Sequence, residues 1–235
     1  MRIAIASRKG GVGKTVVSAG IASLLAAEGK RVVAIDLDPQ SNLAFALGVD
    51  PTAVGTAVML NGEQPEFLEV NENLHVIAGG PELAAQNIAR LDPEDLADAI
   101  RDWDYDVFLF DCPPGSEHLE RLGVIAADRA LVVTNAHPMA IVGAQRVLED
   151  LEIRKSKKRK GPKKWAIVAN MIDARRGLDR HIEEMLGEQG DTPCFNVRQD
   201  IKISWAAAEG VEIAEYAPAC NAARDLRKVM EWLRE

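Results

Sequence analysis

Residues 9–15 read KGGVGKT, set between the apolar run RIAIAS (2–7) and a stretch rich in Ala, Val, Leu and Ile that closes at Gly29. A glycine-rich turn that follows a strand and opens a helix is the context a phosphate loop requires. Gly10, Gly11 and Gly13 let the backbone take positive φ and approach an anion, so the main-chain N–H groups from Gly10 through Val12 to Val16 can converge on phosphate oxygens at a helix N-terminus. Lys14 adds a full positive charge for the β- and γ-phosphates, and the Thr15 hydroxyl is a ligand for magnesium. The expected ligand is ATP with Mg2+.

Outward from the loop, short β-branched runs alternate with longer helical patterns. RVVAID (31–36), LHVIAG (74–79), VFLFD (107–111), ALVVT (130–134) and WAIVAN (165–170) join RIAIAS as predicted strands. Each is nearly continuous in apolar residues, as parallel strands covered on both faces are, and the segments between them are long enough for crossover helices. Helices are expected near 14–28, 82–90, 93–101, 117–127, 140–153, 178–188 and 221–234. The fold class that follows is α/β: a doubly wound, mostly parallel sheet flanked by helices, one domain over residues 1–235, with its ligand beyond the carboxyl ends of the strands.

Two strand ends offer carboxylates beside the loop. Asp111 in FLFDCPPG follows four apolar residues, a setting suited to an acid that holds magnesium through water. Asp38 in AIDLDPQ is placed to orient or deprotonate an attacking water, and Asp36 either braces the loop or joins the magnesium shell. Each could instead cap a helix or form a turn.

The charge is segregated. The chain carries 28 Lys and Arg against 36 Asp and Glu, a net charge of -8, yet RKSKKRKGPKK (154–164) holds eight basic groups and no acid. Arg154, Lys155, Lys157, Lys158, Arg159, Lys160, Lys163 and Lys164 could draw double-stranded DNA by counterion release, without sequence preference; a solvated loop is the plainer alternative. No aromatic residue interleaves with them, which disfavours stacking on single strands. Arg224, Arg227 and Lys228 could extend the surface. Cys112, Cys194 and Cys220 have no CxxC spacing, so neither a disulfide framework nor a metal knuckle is expected. The apolar runs are strand-sized, no export leader is expected ahead of Arg2, and a reducing cytosol fits. The last helix repeats apolar residues at Leu226, Val229, Met230 and Leu233, which reads as a core-facing stripe in preference to a membrane anchor.

With these motifs in place, the chain resembles the ParA/MinD family of deviant Walker-type ATPases, which position DNA or large cargo in bacterial and archaeal cells. The likeness spans nearly the whole chain. It rests on KGGVGKT with its extra Lys9, on DLDPQSN (36–42), DCPPG (111–115), NMIDARRGL (170–178) and NVRQDIKISWAAAEGVEI (196–213), the first three being specific in combination. The resemblance implies a slow, partner-stimulated ATPase that forms an ATP-dependent homodimer. It implies that Lys9 reaches across to the other copy's phosphates, acting with Lys14 and Asp38 in catalysis. It implies that Asn170 and Pro218 contact adenine, that Asp38 marks a first switch and 111–115 a second, and that Asp173 and Arg175 help the partner grip nucleotide. It further implies non-specific double-stranded DNA and a ParB-like or other small adaptor as partners, a cytoplasmic, nucleoid-associated location, and no membrane. One departure is Val16, where the family usually has a second threonine, which implies weaker nucleotide affinity. A related metallochaperone or maturation ATPase acting on a protein client is the alternative, and it would need paired cysteines where this chain offers Cys112 as a small residue behind Asp111.

Overall fold

Alternation along Arg2–Ala6 sends Ile3 and Ile5 into one apolar layer and Ala4 and Ala6 into the other, all of them fully buried, so this strand lies inside a sheet covered on both faces. The structure, a computed structural model, describes residues 1–186 and 192–235. Among the described residues the strands are β1 (Arg2–Ala6), β2 (Val32–Asp36), β3 (Leu68–Asn71), β4 (Leu74–Ile77), β5 (Val107–Asp111), β6 (Arg129–Thr134), β7 (Lys164–Ile172) and β8 (Cys194–Arg198). They form one sheet in the order β3-β4-β2-β5-β1-β6-β7-β8, parallel throughout except for the β3–β4 hairpin. The doubly wound α/β class read from the sequence is the observed one.

The helices are α1 (Lys14–Ala27), α2 (Asn42–Ala46), α3 (Thr56–Leu60), α4 (Asp95–Ala99), α5 (Glu117–Ala126), α6 (Pro138–Ser156), α7 (Gly177–Arg180), α8 (Ile182–Leu186), α9 (Ile201–Glu209), α10 (Ile213–Tyr216) and α11 (Asn221–Leu233). One layer is built on α1 and α11, through Val17, Ile21 and Leu24 of the first and Leu226, Val229, Met230 and Leu233 of the second. The opposite layer is built on α5 and α6, through Leu119, Leu122, Val147 and Leu151. The apolar stripe of the last helix is therefore core, at most 1% exposed at its four positions. Among the described residues no helix is long and apolar enough to cross a membrane.

Several boundaries depart from the sequence reading. The helix expected at 82–90 is two 3-10 turns, Pro81–Ala84 and Ile88–Arg90, separated by Ala85 in an extended conformation. The helix expected at 178–188 divides at His181 into α7 and α8, and its last two positions, 187 and 188, lie outside the described residues. Strands β3 and β8 were not read as such, because edge strands are half-exposed and alternate with polar residues such as Glu69 and Asn196. The helix expected at 140–153 runs from Pro138 to Ser156, so Arg154 and Lys155 are helical and Lys164 is already in β7.

Candidate nucleotide site

The parallel register brings the carboxyl ends of β1, β2 and β5 level, with Asp36 opposite Asp111 and Ile5 opposite Asp111 on the other side. At that edge Gly11 and Gly13 take left-handed φ values of 77° and 85°, and Gly13 is the N-cap of α1. A side chain at Gly13 would have to adopt φ 85° and displace Asn170 Nδ2, 2.3 Å away, so glycine is favoured there. Lys14 opens the helix almost fully buried, 6% exposed, and is in no ion pair among the described residues. A buried ammonium in no close ion pair leaves positive charge for a bound anion to answer.

Asp111 is tied to the loop. Its Oδ2 accepts from the Thr15 hydroxyl at 2.8 Å and its Oδ1 from the Ser18 hydroxyl at 2.8 Å. Burial pushes its carboxyl up to about 6, against the pull of the two hydroxyl hydrogen bonds and the Lys14 charge. Ser18 escaped the sequence reading, although it sits one turn beyond Thr15 on the same face of α1. Asp36 is fully buried, and its two oxygens accept the backbone N–H groups of Asp38 at 2.8 Å and Leu43 at 2.9 Å. Burial, then the facing Asp111, raises its carboxyl well above the ordinary value while the two N–H groups pull it back. That geometry makes Asp36 a brace for the 37–43 segment.

Asp38 forms the turn after β2: its Oδ1 accepts from Gln40 N at 3.0 Å and its carbonyl from Ser41 N at 3.0 Å. A side chain at Gly79 would come within 2.1 Å of the Asp38 carbonyl, so the β4 terminus clamps this segment at close range. Lys9 is exposed, its N–H and Ser7 Oγ lying 3.3 Å apart. Asn170, read as ending its strand, lies within β7 ahead of a bulge at Met171 (φ 60°), and its Nδ2 donates to the Val12 carbonyl at 2.9 Å. It thus ties the phosphate loop to β7 through Val12. Val16 lines a small apolar cleft with Leu47, Ile203 and Ala206. Pro218 is exposed between α10 and α11, and its carbonyl accepts from Arg227 Nη1 at 2.6 Å. Asp173 is paired with Arg175 at 2.8 Å, which holds its carboxyl far below the usual range.

The basic residues are distributed over the end of α6, the loop beyond it and the start of β7. Lys160 pairs with Glu94, Lys155 lies 5.1 Å from the Trp165 ring centre, and Lys164 donates to the Glu235 carbonyl at 3.2 Å. Among the described residues Lys157, Lys158, Arg159 and Lys163 are exposed and in no ion pair. Lys228 is paired with Asp225 at 3.3 Å. Cys112 is 1% exposed, and burial followed by the nearby Glu120 and Asp111 pushes its thiol well up, consistent with a packing residue.

The chemistry of the donor set fits a triphosphate and Mg2+: a loop of main-chain N–H groups, a buried ammonium, a hydroxyl and a carboxylate converge at one helix end. A family model described as an AAA domain matches residues 1–162. The chain is 32% identical over 234 residues to the chromosome-partitioning ATPase Soj of Thermus thermophilus, covering 98% of this chain and 94% of that one. In structure it is similar to the septum site-determining protein MinD of Pyrococcus horikoshii, solved with Mg-ADP, at a TM-score of 0.80 and 25% identity over 99% of this chain and 95% of that one. It is similar also to the MinC:MinD cell division complex of Aquifex aeolicus, at a TM-score of 0.76 and 27% identity over 97% and 95%.

Proposed function

The chain belongs to the ParA/MinD family of P-loop ATPases, and on that footing we propose that it is a cytoplasmic positioning ATPase working as one domain over residues 1–235. ATP draws two copies together, the dimer holds nucleoid DNA non-specifically through the basic residues of 154–164, and a ParB-like or other small adaptor hastens a slow hydrolysis that returns monomers. The adaptor finds a parallel in the MinC bound to MinD of Aquifex aeolicus.

In this reading the N–H groups from Gly10 to Val16 cradle the phosphates, Lys14 neutralises the β and γ oxygens, and Asn170 and Pro218 border the base. Thr15 and Asp111 would hold magnesium, with Asp36 bracing the neighbouring 37–43 segment. When bound, the ion would supply positive charge that offsets the phosphate oxygens. Asp38 orients the attacking water, and Lys9 of each copy meets the other copy's γ-phosphate, which makes turnover depend on pairing.

The observation that carries this is the buried Lys14 at the head of α1 beside an Asp111 already bonded to Thr15 and Ser18. Calorimetry with ATP and magnesium is expected to show saturable uptake that Lys14→Ala abolishes; a titration without heat for the folded wild type overturns the reading. Reversing Lys158, Arg159 and Lys160 to Glu is expected to weaken ATP-dependent retention of duplex DNA by on the order of 10²-fold at physiological salt. Unchanged retention removes the DNA assignment and leaves the ATPase standing.

A further inference from the structure

A second cavity opens between α5 and α6, apart from the nucleotide site, with a volume of about 360 Å3. Part of its wall is Arg8, the residue before Lys9, which pairs with Asp150 of α6 and lies 3.6 Å from Glu120 of α5. A single guanidinium offsets one of those two carboxylates, so the lining as a whole carries four arginines against three acids. Glu117 is the remaining acid among the described lining residues.

Arg121 of α5, Arg154 in the last turn of α6 and Arg159 in the loop beyond line the same cavity. Arg121 and Arg159 are exposed, Arg154 is half-buried, and among the described residues none of the three is in an ion pair. Arg154 gives one N–H to the Lys160 carbonyl at 3.3 Å, and the Arg159 N–H donates to the Arg154 carbonyl at 3.0 Å, so the loop folds back over the helix end. Burial, then repulsion from Arg121 and Arg159, lowers the Arg154 guanidinium below its ordinary value, with Asp150 pulling it part of the way back.

Three planar guanidinium forks around one recess match phosphate oxygens in a way that lysines, as point charges, do not. Two of the three belong to the basic segment itself, so a polyanion lying along 157–164 meets the recess next. We propose that Arg121, Arg154 and Arg159 form a phosphodiester clamp over this cavity, extending the DNA track from the basic segment onto α5. The clamp rests on the DNA reading above and adds Arg121, 33 positions before the segment begins, as a contact.

The test is fluorescence anisotropy of a labelled duplex with ATP and magnesium across a salt series, run on the full chain. Arg121→Glu is expected to weaken binding about tenfold and to reduce the slope of log K against log salt by about one, while Arg121→Lys loses less. The matched reversal Arg90→Glu, at an exposed site outside the cavity, is expected to stay within about twofold of wild type by the same arithmetic. If Arg121→Glu binds with wild-type affinity and slope, or if Arg90→Glu weakens binding equally so that net charge alone explains the loss, the clamp is overturned while the DNA reading stands. If the wild type itself does not retain duplex, the DNA reading falls and the clamp with it.

Discussion

Asp38 owes its place to the turn it forms after β2. The carboxylate sits in the turn after β2, accepting from Gln40 N, while Asp36 beneath it is spent on backbone N–H groups and Asp111 on Thr15 and Ser18. Of the three acids Asp38 has the fewest hydrogen bonds to break if the turn shifts around a bound nucleotide. Asp38→Ala is therefore expected to keep ATP binding, to slow hydrolysis on the order of 10²-fold or more, and to leave a persistent ATP-bound dimer by light scattering. Normal turnover in that variant would remove the water-orienting role. The candidate residues themselves were legible because they are contiguous with glycine turns or strand ends. Their partners were not: nothing in the local sequence couples Ser18 to Asp111, which lie 93 positions apart.

At the scale of elements, the attachment of α11 to β8 turns on Asp225. This carboxylate is 3% exposed and takes a two-pronged bond from Arg198, Nε to Oδ2 at 2.7 Å and Nη2 to Oδ1 at 2.9 Å, with the Arg198 N–H at 3.2 Å. Burial by itself would raise its carboxyl, but Arg198 and Lys228 together hold it below the ordinary 3.8. Because the folded value is the lower one, the stabilisation is present above about 3.8, the unfolded value, and is lost as pH falls through the folded value. Asp225→Asn is expected to cost about 1–2 kcal/mol at pH 7, a buried-pair loss discounted for the half-exposed Arg198. In urea melts the gap to wild type should narrow progressively as pH falls below about 3.8; a gap that stays constant down the whole acid limb would mean packing, not charge, is responsible. Helices α1, α5 and α11 were expected from the sequence, the last from its periodic apolar stripe and the first from a largely apolar composition. The short α2, α3 and α10 were not, since helices of four or five residues present barely one turn of pattern.

For the whole molecule, the reading depends on two copies meeting at the carboxyl edge of the sheet, where Lys9 is exposed beside the phosphate loop. Lys9→Ala is expected to bind ATP as wild type does, to remain monomeric in light scattering with ATP, and to hydrolyse on the order of 10³-fold more slowly, the loss typical of a charge supplied in trans. A Lys9→Ala protein that dimerises and turns over normally would separate catalysis from pairing. By itself the sequence determined that a phosphate loop forms at residues 9–15 and that a parallel sheet carries it, because a glycine turn and an apolar period are properties of adjacent residues. Only the tertiary structure decided that Asn170 is bonded to the loop at Val12, that Asp36 is spent on the 37–43 segment, and that Arg121 lines one cavity with Arg154 and Arg159. Those neighbours are set by the order in which strands pair and by the helices packed across them, and strand order is a contest among distant segments that no local pattern encodes.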